Sequence, residues 1–100
     1  MKAIWNNQIV AEADKDDLIY IEGNWYFPKV TISEGYYEPS ELRTVCPWKG
    51  EAKYYDLVVN GERNEDAVWY YPAPLPSAFE RIKEDFTDYV AFGRGVEITE

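Results

Sequence analysis

Thr44-Val45-Cys46-Pro47-Trp48-Lys49-Gly50-Glu51-Ala52-Lys53-Tyr54-Tyr55 is the stretch around which the rest of the chain is organised. It carries the single cysteine, an aromatic of the buried type, a lysine set between Trp48 and Gly50, and the opening of the strongest strand pattern. From Ala52 to Val59 the residues are β-branched or aromatic, and the run stops at Asn60-Gly61. Asn-Gly is the strongest short hairpin signal, because both central residues of the turn need φ > 0. The returning chain is less regular: Asn64-Glu65-Asp66 reads as a loop before Ala67-Val68-Trp69-Tyr70-Tyr71.

Upstream of this stretch the signals are those of short strands and turns. Asn6-Asn7, between Ala3-Ile4-Trp5 and Ile9-Val10-Ala11, predicts a tight hairpin, since asparagine tolerates φ > 0. Asp17 to Glu22 alternates with apolar residues on both faces, which predicts a strand covered on two sides. Glu22-Gly23-Asn24 is a turn, and Trp25-Tyr26-Phe27 runs into Pro28, a residue confined to edges and strand ends. Val30-Thr31-Ile32 reads as a further short strand. Ser33-Glu34-Gly35 and Glu38-Pro39-Ser40 bracket Tyr36-Tyr37 with turn chemistry and make a loop-rich approach to the opening stretch.

Downstream, Pro72, Pro74 and Pro76 hold the backbone extended. Ser77 with Glu80 three residues later has the form of a capping box, and Phe79, Ile82 and Phe86 fall on one face, so a short helix is expected near 77–87. Two last strands flank Gly93-Arg94-Gly95. The whole is one domain over residues 1–100, mainly β, with compact antiparallel sheets in a tent-like arrangement and one short helix.

Composition bounds the chemistry. There are 19 acidic and 10 basic residues, a net charge of −9. Such a surface repels phosphate backbones and anionic lipids, so neither nucleic acid nor membrane is an expected partner. Histidine is absent, which removes the commonest general base and the commonest transition-metal ligand; no metal and no cofactor are expected. Cys46 has no partner for an internal disulfide, and the first residues lack an apolar leader; a soluble, reducing, cytoplasmic setting fits this pattern. A monomer or weak homodimer is expected.

With this order of motifs, the chain resembles the bacterial family known as domain of unknown function 427. The resemblance rests on Trp5-Asn6 with Val10-Ala11-Glu12; Glu22-Gly23-Asn24 with Tyr26-Phe27-Pro28; and Pro39-Ser40, Thr44 and Cys46-Pro47-Trp48-Lys49-Gly50 followed by Ala52, Tyr54 and Tyr55. It continues through Ala67, Trp69, Tyr71-Pro72 and Pro74 to Tyr89-Val90-Ala91-Phe92 and Val96-Glu97. The Cys-Pro-Trp-Lys-Gly block is the specific part. Phe79 to Thr87 looks longer than the corresponding connection in the family. The resemblance implies a fold and a motif set without a reaction. The domain is sometimes labelled a nucleotidyltransferase, but this chain lacks a Gly-Ser turn followed by spaced aspartates to hold magnesium.

Of the 17 aromatic residues, eleven fall in Trp25–Phe27, Tyr36–Tyr37, Trp48, Tyr54–Tyr55 and Trp69–Tyr71. Neighbours on a strand point to opposite faces, so Tyr54 and Tyr55 cannot share a core, and nor can Tyr70 and Tyr71. The leading reading is a small-molecule-binding domain whose cleft is walled by Tyr26, Trp48, Tyr55, Trp69 and Tyr71, with Lys49 supplying positive charge. A lysine desolvated by aromatic walls is expected to have a lowered pKa. Two other readings stand beside it. One is an enzyme using Lys49 or Cys46 with a nearby carboxylate, Glu22 or Asp56. The other is an interaction module that presents the same rings as a patch. The bland alternative for each residue is a filled aromatic core, a snorkelling lysine and a buried apolar thiol.

Overall fold

A computed structural model describes residues 1–100. Asn6 and Asn7, at φ 52° and 62°, turn β1 (Lys2–Trp5) back into β2 (Gln8–Glu12). The last strand, β9 (Glu97–Thr99), pairs with the other side of β1, giving a three-stranded sheet in the order β2-β1-β9. The chain ends are thereby tied into one sheet. Glu22 and Gly23, at φ 51° and 85°, make the second tight turn, between β3 (Ile19–Ile21) and β4 (Asn24–Tyr26). Asn60-Gly61 makes the third, at φ 52° and 79°. It joins the two central strands of an antiparallel four-stranded sheet, β5 (Tyr37–Cys46), β6 (Gly50–Val59), β7 (Glu62–Tyr70) and β8 (Val90–Phe92).

Two bridges hold these pieces together. Phe27 and Val90 exchange both backbone hydrogen bonds at 2.8 Å, which carries the β3–β4 hairpin onto β8. Ala11 faces Ile32, and the Ser33 N–H donates to the Val10 carbonyl at 2.8 Å. The four-stranded sheet then has apolar packing on both faces, and strand alternation sorts its residues between them. Tyr55, Leu57, Val59, Val68, Val90 and Phe92 pack with Ala3, Val10, Phe27 and Ile32. Ala52, Tyr71 and Ala91 pack with Ile19, Ile21, Tyr26, Ala78 and Phe86. As the alternation requires, Tyr54 joins the second group and Tyr55 the first, while Tyr70 and Tyr71 part in the same way.

Six local expectations are corrected. Residues 37–46 form a ten-residue strand instead of a loop. The turn chemistry of Pro39-Ser40 is absorbed by a register shift between Pro39 and Arg43, at an edge where proline is tolerated. Asn64-Glu65-Asp66 lies within β7, where Asp66 bulges at φ 57° and its N–H is held by Asp56 Oδ1 at 2.8 Å. Lys29–Thr31 is a 3-10 turn, leaving Val30 93% exposed. Tyr20 is 58% exposed, so β3 is covered on one face only. The helix, α1, is Pro76–Ile82, shorter than 77–87, and stops at Lys83 with φ 63°. No side chain caps its start; Ser77 Oγ instead donates to the Trp48 carbonyl at 2.8 Å. Ala78 is its buried residue, and Phe86 reaches the core from the turn beyond it.

Candidate functional site

The Pro47-Trp48-Lys49 turn joins β5 to β6, and the segment after β7 clamps it. The Lys49 carbonyl accepts from the Leu75 N–H at 3.0 Å. Gly50 is at φ 111°, and a Cβ there would lie 3.3 Å from the Ala73 carbonyl oxygen, so glycine is required both by conformation and by space. This clamp orients Lys49 inward, where it is 8% exposed. Its Nζ donates to Glu22 Oε1 at 2.5 Å and lies 5.2 Å from the Trp48 ring and 5.3 Å from that of Tyr71. These ring distances are within cation–π range.

Lys49 stands at the wall of an open cavity of about 540 Å³, within the range of small-molecule sites. Tyr26, Trp69 and Tyr71 line it as well. The Trp69 indole Nε1 donates to Tyr26 Oη at 3.0 Å, and the Trp69 ring lies so close to Gly93 that a Cβ there would be 3.0 Å from Cζ3. Asn24, Leu42, Thr44, Tyr54, Asp66 and Arg94 complete the lining. Tyr54 Oη and Thr44 Oγ1 are hydrogen-bonded at 2.8 Å across the β5–β6 pair.

The electrostatics follow from burial. Desolvation, then the neighbouring Tyr26, pushes the Tyr71 phenol up to about 12. Desolvation likewise raises Tyr26, against the Trp69 hydrogen bond and Lys49, which work the other way. Burial opposes the charge on Lys49, but the hydrogen bond to Glu22 and the surrounding charges outweigh it, so its pKa is raised. The sequence-based expectation of a lowered lysine pKa is therefore corrected: the expectation counted desolvation and omitted the carboxylate. Around Lys49 the wall at neutral pH presents its ammonium and the un-ionised phenols of Tyr26 and Tyr71.

The remaining expected site residues lie elsewhere. Trp48 sits beside the cavity rather than on it, with Lys49 and the Arg81 guanidinium both against its ring, the latter at 4.5 Å. Tyr55 belongs to the opposite core, stacked on Tyr70 at 4.7 Å and 13°. Cys46 is half-buried behind the cavity wall, packed against the Tyr26–Tyr71 core without lining the opening. Asp56 pairs with Arg63 at 2.7 Å and has no contact with Lys49; Glu22 takes that role. Tyr54, Thr44, Leu42, Asn24, Asp66 and Gly93 went unrecognised as lining residues. Tyr54 had a usable signal. Once β6 and β7 are paired with Tyr54 opposite Trp69, residues 54 and 69 share a face and residue 55 does not.

Three small antiparallel sheets and one short helix make the chain mainly β. No helix is long and apolar enough to cross a membrane. Over residues 1–99 the chain matches the family model described as domain of unknown function 427, and it belongs to that family. No curated protein matches it.

Proposed function

We propose that the domain binds a small ring-bearing molecule in the Lys49 cleft. The observation that carries this reading is the meeting of Tyr26, Lys49, Trp69 and Tyr71, from three separate segments, on one concavity of about 540 Å³. A core made only for stability closes such a space, because packing at interior density leaves few voids larger than a water molecule. Flat rings supply stacking area for a ring, and a cation beside them supplies orientation. The concave form of the site favours a ligand over a protein partner, which would be met by a flat or convex apolar patch. A protonated Lys49 is a cation for pairing and not a nucleophile, and Cys46 stands off the cavity, so binding is the reading with support. With a net charge of −9, the partner is a small molecule and not a nucleic acid.

The test is a thermal-shift screen of aromatic carboxylates, nucleosides and sugars against the wild type and Lys49→Met, which keeps most of the apolar stem and removes the charge. A ligand held at 100-fold its dissociation constant adds about 2.7 kcal/mol of stability. A hit in the wild type that is lost in Lys49→Met is the expected result. Equal hits in both proteins, or none in the wild type, would count against a lysine-centred cleft.

A further inference from the structure

The hydrogen-bond directions around the cleft restrict what it can hold. An indole N–H can only donate, so Tyr26 Oη is the acceptor in its bond to Trp69, and the phenol hydrogen must point elsewhere. Tyr26 is 1% exposed, and no protein acceptor takes that hydrogen. Tyr71 also lines the cavity with its hydroxyl hydrogen unclaimed by any protein oxygen. Lys49 has three N–H bonds, of which Glu22 takes one and the Tyr71 oxygen draws a second. The Arg94 side chain adds donors at the rim. At its Lys49 end the cleft therefore offers hydrogens and wants oxygens; Asp66, the one carboxylate on the lining, accepts from Ser40 through Oδ1.

The one oxygen now supplied to Lys49 comes from a side chain that is easily displaced. Glu22 is on a two-residue turn, and its side chain is 55% exposed while that of Lys49 is 10% exposed. Rotation of the Glu22 side chain into solvent would free the ammonium with no change in backbone. Removing Glu22 without a substitute would leave a buried, uncompensated charge, so any occupant that displaces it must itself be an anion.

We propose that the Lys49 cleft is a carboxylate site, that Glu22 fills it as an internal stand-in, and that a ring-bearing monocarboxylate displaces Glu22. The inference rests on the small-molecule reading above and narrows its ligand class. A carboxylate is already the group seated on Lys49, at 2.5 Å. A net charge of −9 disfavours a dianion such as a phosphate monoester more than a monoanion. Glu22 then acts as a competitor built into the chain, which lowers the site's affinity while keeping its cation neutralised when no ligand is bound.

The experiment compares 4-hydroxyphenylacetate, its primary amide and phenyl phosphate on the wild type, Glu22→Gln and Lys49→Met. Binding is read from the Trp69 indole N–H resonance, which reports occupation of the cleft whatever the probe. The carboxylate is expected to move that resonance in the wild type, and the amide to leave it in place. Glu22→Gln, which keeps shape and an acceptor oxygen but not the charge, should tighten the carboxylate about fivefold, the equivalent of about 1 kcal/mol for a part-exposed ion pair. Lys49→Met should abolish the shift. An amide that binds as well as the acid, a phosphate that binds more tightly than the carboxylate, or an unchanged affinity in Glu22→Gln would each overturn the carboxylate assignment and leave the cleft reading standing. A silent Trp69 resonance with every probe in the wild type and in Glu22→Gln would overturn both.

Discussion

Two groups of tyrosines lie on opposite faces of the same sheet and solve the packing problem differently. On one face Tyr37, Tyr55 and Tyr70 close on each other, with ring centroids at 4.8 Å and 4.7 Å. On the other, Tyr26 and Tyr71 pack edge-on to Phe86 at 6.1 Å and 5.9 Å, and Trp69 bonds to Tyr26 through its indole nitrogen. The first arrangement fills space; the second holds rings apart and leaves a cavity with a cation at its wall. Tyr55 and Tyr71 are equally buried, at 6% exposed. Burial of the individual residue therefore does not tell core from cleft; the geometry between neighbours does.

The largest expected effect tests the closed side. Tyr55→Ala removes a ring stacked on Tyr70 and edge-on to Tyr37 and should cost about 3–5 kcal/mol in denaturant unfolding. Tyr71→Ala enlarges a space that already opens to solvent, and should cost about 1 kcal/mol less, the order of one lost aromatic pair. A larger loss at Tyr71 than at Tyr55 would break the distinction between the two faces.

Alkaline pH probes the open side. An unfolded tyrosine ionises near 10.0, whereas folded Tyr71 is pushed up to about 12 by burial. Between those values the folded state keeps the proton that the unfolded state has released, so stability falls as pH rises through this window. A two-unit shift corresponds to roughly 2–3 kcal/mol. Lys49, also raised, has the same sign: its contribution is full below the ordinary lysine value and fades as pH rises through its folded pKa. Tyr71→Phe should flatten the pH dependence of urea midpoints over this range, with tyrosinate absorbance giving the ionisation directly; an unaltered slope would mean that the phenol is not desolvated as described.

Two smaller changes sharpen the comparison at its hinge, Trp69. Trp69→Phe deletes the donor to Tyr26 and should cost about 1 kcal/mol, the usual net value of a hydrogen bond, with loss of area adding to it. If the chemical shifts of Tyr26 ring protons stay put in that variant, the indole bond does not orient the phenol. Gly93→Ala places a methyl 3.0 Å from Trp69 Cζ3 and forces the ring to give by a few tenths of an ångström. The expected outcome is a loss of under about 1 kcal/mol together with a displaced Trp69 indole resonance; with no displacement, the ring would not be seated on that glycine.

The sequence by itself determined the fold class, three tight turns and the separation of Tyr54 from Tyr55 and of Tyr70 from Tyr71. Those depend on local rules: φ > 0 at Asn6-Asn7, Glu22-Gly23 and Asn60-Gly61, and the two-residue period of a strand. Tertiary structure decided which tyrosine of each pair faces Lys49, because that depends on the Tyr54–Trp69 register, which a side chain's own sequence does not carry. It also decided that residues 37–46 extend as a strand, that Ser77 bonds to the Trp48 carbonyl instead of its own helix, and that Lys49 meets Glu22 across 27 residues. Each is a contact between distant segments, and its energy exists only once the chain has brought them together.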